Sequence, residues 1–311
     1  MNMRLCSLLL ILATLTAHGD DVIRDITTAR HRAGEVTAGK NKITVFASDN
    51  TSTQAPAVVF FNNVSERTAP DPAPLLDYLA AQGIKVMNVE YVKPLPVIGK
   101  RNPDLLGDAI LETKTVLQAI RQNAGKLGIN PRCIIAAGLG DGGYLALASA
   151  VIKDFNPDGA AADWTPFAII ALSPFLYETG DLPVVLGGSI FYKEMGEKLP
   201  SFQPARQVGA GVPPMLLCGM DRQPHMEMEE LCRFAVAAEK AGARCDALVY
   251  FRVPFRNYFK HKDFNKHVCH TVHSFLHSLG AIAGKPAFDA PLLHKSEDLR
   301  AAKEGIHVRD I

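Results

Sequence analysis

Apolar residues in this chain follow two different spacings. Short runs such as 57–61 and 133–137 contain no polar residue, as expected of strands that are buried on both faces of a sheet. In longer stretches such as 104–125, apolar residues return at the spacing of an amphipathic helix. Because the two kinds of segment alternate, the pattern predicts an α/β fold with a mainly parallel sheet and helices on both faces.

The predicted strands are residues 43–46, 57–61, 85–91, 133–137, 167–172, 215–218 and 246–252, and the predicted helices are 74–82, 104–125, 142–151, 226–241 and 266–279. We expect strand 43–46 to lie at an edge of the sheet. The stretch between residues 172 and 215 is too short for a large cap domain. Beyond residue 280, the segment 295–311 is charged and weakly amphipathic, which predicts an additional surface helix packed on the domain. The alternative is a docking element for a partner.

Composition narrows the class of protein. The chain has 311 residues, of which 48% are hydrophobic and 21% charged, values typical of a globular protein. Its net charge is +1 and its basic residues form no stripe, so no nucleic-acid partner is expected. Five cysteines follow residue 19, an odd number with no CxxC motif. Most are expected to be small core residues, and one disulfide can form in an oxidising compartment.

The N-terminus predicts export. Residues 1–19 combine Arg4, the apolar run 5–15 and a stretch of small residues, which is the layout of a secretory signal peptide. We therefore expect a periplasmic or extracellular protein that has no membrane association once the signal is removed. Its expected parts are a domain at 20–280 and a C-terminal extension at 281–311.

A glycine-rich turn, Gly138-Leu139-Gly140-Asp141-Gly142-Gly143, joins a predicted strand to a predicted helix. Its third glycine comes too early for GxGxxG, and no Lys-Ser/Thr pair follows, so neither a dinucleotide nor a phosphate-binding loop is indicated. The turn matches better the G-x-S-x-G nucleophile elbow, which is sharp, strained and flanked by small residues. No cofactor is expected.

Several segments resemble, in the same order, the α/β-hydrolase family, on the side of carboxylesterases and of lipase- and acetylxylan-esterase-like proteins. AVVFFNNV stands where that family has the strand that leads to its HGGG oxyanion loop, and KVMNVEYV resembles the next strand. CIIAAGLGDGGYLALA resembles the elbow strand, turn and helix, and VPPMLLCGMD resembles the strand that presents the catalytic acid. The resemblance covers residues 21–280 and implies the α/β-hydrolase fold.

The resemblance places Gly140 at the nucleophile position, where a glycine has no side chain to attack a carbonyl group. Shifting the alignment by one residue makes Asp141 the nucleophile, as in members with a G-x-D-x-G turn. That shift puts Leu139 where the turn needs a small residue. The alternative is a structural role, in which the Asp141 carboxylate is stabilised by the dipole of the helix that begins at this residue.

The histidine and oxyanion positions also depart from the family pattern. The loop VPFRNYF stands where the family has its catalytic histidine, so that Asn257 or Tyr258 occupies this position. Asparagine cannot act as a general base. His261, slightly further on, is either a solvated loop residue or a base that reaches inward. Asn62 and Asn63 stand in place of the HGGG glycines, where their amides can donate hydrogen bonds to a ligand.

The acid is the best preserved of the catalytic positions. Asp221 follows the predicted strand at 215–218, one residue nearer to the preceding glycine than is usual in the family. Without a histidine partner, this carboxylate has nothing to orient. His225 is a candidate base only if its loop folds inward.

Four histidines lie on the last predicted helix, within one third of its circumference: His267, His270, His273 and His277. Apolar residues occupy the opposite side, so we expect the histidines to face solvent. His273 and His277 have the best spacing for a shared metal ion. Because no carboxylate or cysteine completes a ligand set on this side, no physiological metal site is expected.

Three functions remain open from the sequence. The first is an inactive α/β-hydrolase scaffold that binds a small molecule, a glycan or a protein without turnover. The second is an active ester hydrolase with Asp141 as nucleophile and His225 or His261 as base. The third is an interaction protein that acts through the residues after Gly280. The combined loss of serine and histidine favours the first.

Overall fold

A computed structural model describes residues 31–38, 41–47, 54–62, 70–90, 103–176, 196–222, 228–254, 259, 262–289 and 306–310. Within these ranges the strands are β1 His31–Ala38, β2 Asn41–Ala47, β3 Ala55–Phe61, β4 Lys85–Glu90, β5 Ile129–Leu139, β6 Ala168–Leu172, β7 Met215–Arg222, β8 Cys245–Pro254 and β9 Ile306–Asp310. The main helices are α1 Ala73–Ala81, α2 Pro103–Gln122, α3 Asp141–Val151, α4 Met228–Lys240 and α5 Lys262–Ser278.

The described strands form one sheet in the order β1-β2-β4-β3-β5-β6-β7-β8-β9. β2 runs antiparallel to β1 and to β4, and every other neighbouring pair is parallel. The prediction of a mainly parallel sheet is therefore confirmed. The prediction that 43–46 forms an edge strand is wrong, because Ile43 pairs with Val36 on one side and with Val89 on the other.

Helices cover both faces of the sheet. Val59 and Phe61 of β3 point into a core shared with α2, α3 and α4, whereas Val58 and Phe60 point into a core shared with α1 and α5. All four side chains are fully buried. Burying each stabilises the fold by roughly 1.5–3 kcal/mol, which explains why this strand contains no polar residue.

A buried lysine binds the C-terminal end of α3. Lys114 of α2 is 1% exposed. Its Nζ donates hydrogen bonds of 2.7 Å to the carbonyl oxygens of Ile152 and Asp154 and to Oδ1 of Asn156. Burial lowers the pKa of Lys114 to about 8. The ammonium group thus binds the carbonyl of Ile152, the C-cap of α3, and two acceptors of the chain that follows it.

The chain after α5 returns to the sheet. β9 lies beside β8 in parallel register, from Ala247 opposite Ile306 to Phe251 opposite Asp310. The predicted surface helix at 295–311 is therefore wrong for 306–310, which form a strand. Between β6 and β7 the described residues form two short helices, Gly196–Phe202 and Pro204–Gln207.

The cysteines beyond residue 19 are free thiols in the structure. Burial raises the pKa of both Cys245 and Cys269 to about 12. Because the thiolate is the reactive form, these groups behave as small apolar residues. Among the described residues, no helix combines the length and the apolar character that crossing a bilayer requires.

Candidate functional site

The glycine-rich turn connects the central strand β5 to α3 within one residue. Leu139 ends β5, Asp141 begins α3, and Gly140 between them has φ 58° and ψ −120°. The N–H of Gly140 donates to the carbonyl of Leu172 on β6, at 2.9 Å, and its own carbonyl accepts from Tyr144 in the helix, at 3.0 Å. A positive φ of this kind strains residues that have a side chain, so glycine makes the turn without that cost.

The neighbouring glycines are required by close packing. A Cβ on Gly138 would lie 2.3 Å from the main-chain carbon of Gly142. A Cβ on Gly142 would lie 1.9 Å from the carbonyl oxygen of Phe61, and one on Gly143 would lie 3.0 Å from that of Leu172. The start of α3 is therefore held directly against the backbones of β3, β5 and β6.

The residues on either side of Gly140 are buried. Leu139 packs in the core on the α1–α5 face of the sheet. Asp141 is 1% exposed and is the first residue of α3. Its backbone is not in the positive-φ region, because among the described non-glycine residues only Phe155 and Ser173 adopt positive φ. A carboxylate in the first helical turn is stabilised by the helix dipole.

Ser173, which belongs to none of the motifs in the sequence, lies at the same edge of the sheet. It follows β6, is fully buried, and has φ 46°. Its N–H donates to the carbonyl of Cys218 on β7, at 2.6 Å. Strained backbone of this kind is concentrated at functional sites. The Ser173-Pro174 pair directly after a buried apolar run was the available sequence signal.

The predicted ligand-contacting asparagines follow β3. Phe61 at the end of β3 is in register with Gly138 of β5, which places the half-buried Asn62 at the same sheet edge as the turn. Asn63 lies outside the described residues. In parallel α/β sheets, ligands bind at the carboxyl ends of the strands, and this is that edge.

The candidate acid and bases are described only in part. Asp221 belongs to the end of β7 instead of following it, at a register irregularity between Met220 and Arg222. Only its backbone is described. His225, Asn257 and His261 lie outside the described residues.

The histidines of α5 do not form a stripe that faces solvent. His267 is 2% exposed, and its Nδ1 is 3.1 Å from the hydroxyl group of Tyr250 on β8. His273 is 1% exposed, and its Nδ1 is 2.7 Å from the hydroxyl group of Tyr78 on α1. The predicted exposure is wrong for both residues, because α5 is covered on more than its apolar side.

His273 and His277 each contact a carbonyl oxygen of the chain that follows α5. Nε2 of His273 is 3.1 Å from the carbonyl oxygen of Gly284, and Nδ1 of His277 is 3.1 Å from that of Ile282. A metal ion bound to His273 would have to replace one of its two hydrogen bonds. Within the part of the chain that the structure describes, no three histidine, cysteine or acidic side chains are grouped to hold a metal ion.

Solved structures of an esterase superpose on this chain. The apo form of Thermogutta terrifontis esterase 2 is 22% identical, with a TM-score of 0.66, and the superposition covers 82% of this chain and 96% of the esterase. The same esterase phosphonylated by sarin is 21% identical over the same shares, with a TM-score of 0.67. Its butyrate-bound form is 22% identical, with a TM-score of 0.65, over 82% of this chain and 95% of its own.

This chain has the α/β-hydrolase fold. No family model matches the sequence, and no curated protein matches it either. In the α/β-hydrolase fold, a catalytic serine is presented on a sharp, strained turn between a strand and a helix. The turn between β5 and α3 has this geometry, with Gly140 as its positive-φ residue.

Proposed function

We propose that this chain is an exported α/β-hydrolase-fold protein that binds a small molecule or a glycan at the β5–α3 turn without hydrolysing it. The observation that carries the proposal is Gly140, which has φ 58° and ψ −120° between a buried strand and the helix that follows. Acyl transfer by this fold needs a nucleophilic side chain on that turn. Glycine provides none.

The position of Asp141 supports the inactive scaffold over an aspartate nucleophile. Its carboxylate starts at the first residue of α3, beyond the positive-φ residue, and its side chain is almost completely buried. A nucleophile must reach a substrate carbonyl, whereas a carboxylate in a first helical turn is stabilised where it stands. We therefore assign Asp141 a structural role in α3.

The turn retains features that suit binding. The first turn of α3 carries backbone N–H groups that a helix cannot use internally, and such groups bind oxygen atoms of ligands. Asn62 adds a half-buried amide at the same sheet edge. With no side chain on Gly140, a ligand oxygen can approach the turn more closely than in an active hydrolase.

The experiment that tests inactivity uses the mature chain from residue 20. Purified protein is assayed with short-chain p-nitrophenyl esters and treated with a serine-reactive fluorophosphonate. We expect no turnover above a denatured control and no label. Asp141→Asn is assayed beside Asp158→Asn, which changes an exposed aspartate of the same chain. Turnover that only Asp141→Asn abolishes would overturn the proposal in favour of an aspartate nucleophile.

Binding is tested separately from inactivity. A ligand that binds the folded state raises the melting temperature, so small carboxylates, esters and oligosaccharides are screened by thermal shift. Gly140→Ala places a methyl group on the turn and is expected to reduce any shift. Gly211→Ala is the matched control, because Gly211 also has positive φ but open space around it. A shift that is equal in both variants would contradict binding at this turn.

Export is proposed from residues 1–19, which read as a signal peptide. Expression of the full chain in a bacterial host, followed by fractionation and N-terminal sequencing, tests it. We expect a shortened protein outside the cytoplasm. A full-length protein that stays in the cytoplasm would contradict export without affecting the proposal for the turn.

A further inference from the structure

Two histidines of α5 hold the chain segment that follows this helix. His273 bridges α1 and the segment, since its Nδ1 is 2.7 Å from the Tyr78 hydroxyl oxygen and its Nε2 is 3.1 Å from the carbonyl oxygen of Gly284. His277 holds the same segment through the carbonyl of Ile282, at 3.1 Å. We call Tyr78, His273 and the Gly284 carbonyl the histidine bridge.

The hydrogen-bond partners fix the protonation state of the bridge. A carbonyl oxygen can only accept, so Nε2 of His273 carries the proton and donates to Gly284. In the neutral ring Nδ1 is then an acceptor, and the hydroxyl group of Tyr78 donates to it. Both nitrogens of His273 and the proton of Tyr78 are thereby satisfied in a site where the imidazole is 1% exposed.

Protonation of the ring breaks this arrangement. Nδ1 then carries a proton and donates to the hydroxyl oxygen of Tyr78. The hydroxyl proton of Tyr78 must therefore rotate away from Nδ1, and it loses its acceptor. The positive charge would also be buried, because the imidazole of His273 is 1% exposed. Both effects favour the neutral bridge over the protonated one.

Titratable groups close in sequence to the bridge lie on all three of its elements. On α1 they are Tyr78 and its neighbour Asp77; on α5 they are Cys269, His270 and His277; and on the segment after α5 they are Lys285 and Asp289. Burial lowers the pKa of His273, the Gly284 carbonyl opposes this shift, and His277 adds to it. Burial raises the pKa of Tyr78, with a further contribution from Cys269, so the phenol stays protonated.

We propose that the histidine bridge is a pH-sensitive latch, whose protonation at His273 releases residues 281–289 from α1 and α5. At pH values between the lowered pKa of His273 and the ordinary histidine pKa of about 6.5, His273 binds fewer protons when the segment is docked than when it is released. Docking is therefore fully favoured above about pH 6.5 and weakens as the pH falls through this window. The latch does not depend on the function proposed for the β5–α3 turn.

The test is hydrogen–deuterium exchange of the mature chain between pH 5 and pH 8, corrected for intrinsic exchange rates. We expect peptides from 281–289 to lose protection at acid pH, by about tenfold for each unit by which docking lowers the pKa of His273. Peptides from β5 should keep theirs, which separates release from global unfolding. The NMR titration midpoint of His273 should coincide with the exchange step.

Three variants assign the effect to the bridge. His273→Gln keeps a donor for Gly284 but cannot titrate, so the pH step should disappear. Tyr78→Phe removes the donor to Nδ1, so the step should move to higher pH. His270→Gln is the matched control and should leave the step unchanged, since it removes another titratable histidine of the same helix, whose ring lies 6.3 Å from that of Phe288. Absence of the step in the unaltered chain, its persistence in His273→Gln, or its loss in His270→Gln would overturn the latch.

Discussion

The Cα of Gly142, at the start of α3, lies against the main-chain oxygen of Phe61, at the end of β3. A Cβ at position 142 would come 1.9 Å from this oxygen, which is far inside van der Waals contact. Neither atom belongs to a flexible side chain. The contact therefore sets how closely the helix can approach the sheet at the turn that carries Gly140.

Gly142→Ala should destabilise the protein because α3 or β3 must move to admit the methyl group. Overpacking of this kind costs on the order of 3 kcal/mol when the backbone cannot yield. Urea unfolding of the mature chain measures the loss. Gly125→Ala is the control, since nothing lies within 4 Å of its Cβ position. That variant should be neutral or slightly stabilising, and equal losses in both variants would contradict the close contact.

Lys114→Met should also destabilise the fold, for a different reason. The methionine fills similar space but leaves the Ile152 carbonyl and the Asn156 side chain without their donor. The Ile152 carbonyl belongs to a buried residue, and a buried acceptor that loses its partner costs about 1–3 kcal/mol, whereas the exposed Asn156 can turn to water, so a loss of about 1–3 kcal/mol is expected. The matched control is Lys126→Met, at an exposed lysine. A chemical denaturation midpoint equal to that of the control would contradict the capping role.

Cys269 should resist thiol reagents in the native protein. It is 4% exposed, and burial raises its pKa to about 12. At pH 8.5 iodoacetamide should modify it only after urea unfolding, as mass spectrometry can show. Because the folded state holds this proton more tightly, the thiol's contribution to stability is present below about pH 9 and is lost as the pH rises towards 12.

Cys269→Val checks that pH dependence, because valine has no proton to lose. The fall in urea midpoint between pH 8 and pH 10.5 should be smaller in this variant than in the unaltered chain. Rapid native labelling of Cys269, or an identical fall in both proteins, would contradict the assignment.

Deletion of residues 306–311 should make the protein associate with itself. Without β9, the backbone of β8 from Ala247 to Phe251 loses its described partner on that side. An unpaired strand edge is a template for another chain. Light scattering after size exclusion, over a range of concentrations, should show larger species for the truncated chain. If the tail were instead the docking element of an oligomer, the same deletion would produce smaller species.

The sequence was sufficient where a signal is local. The strand at 133–137 and the glycines after it predicted the β5–α3 turn, because an apolar run and a set of small residues act over a few positions. β1 was not predicted, because HRAGEVTA has few apolar residues and gains its order by pairing with β2. Pairing between distant segments leaves little trace in such a strand.

The errors at the C-terminus have the same origin. The spacing of His267 and His273 correctly placed them on one side of α5, but periodicity does not reveal which neighbour covers that side. Tyr78 lies 195 residues before His273, and Gly284 belongs to a segment that turns back after the helix. β9 was predicted as part of a helix because its charged sequence resembles a solvated helical face, whereas the edge of β8 selects an extended conformation.

From β5 onwards, the order of strands in the sheet is the order in which they are synthesised: β5, β6, β7, β8, β9. During synthesis the N-terminal part of the chain folds first, so each new strand can add to the edge that the preceding strand leaves open. The growing edge at β8 stays open until Ile306–Asp310 have been synthesised. A polypeptide whose synthesis stops between β8 and β9 would expose the edge of β8 from Ala247 to Phe251, so premature termination in this interval favours aggregation.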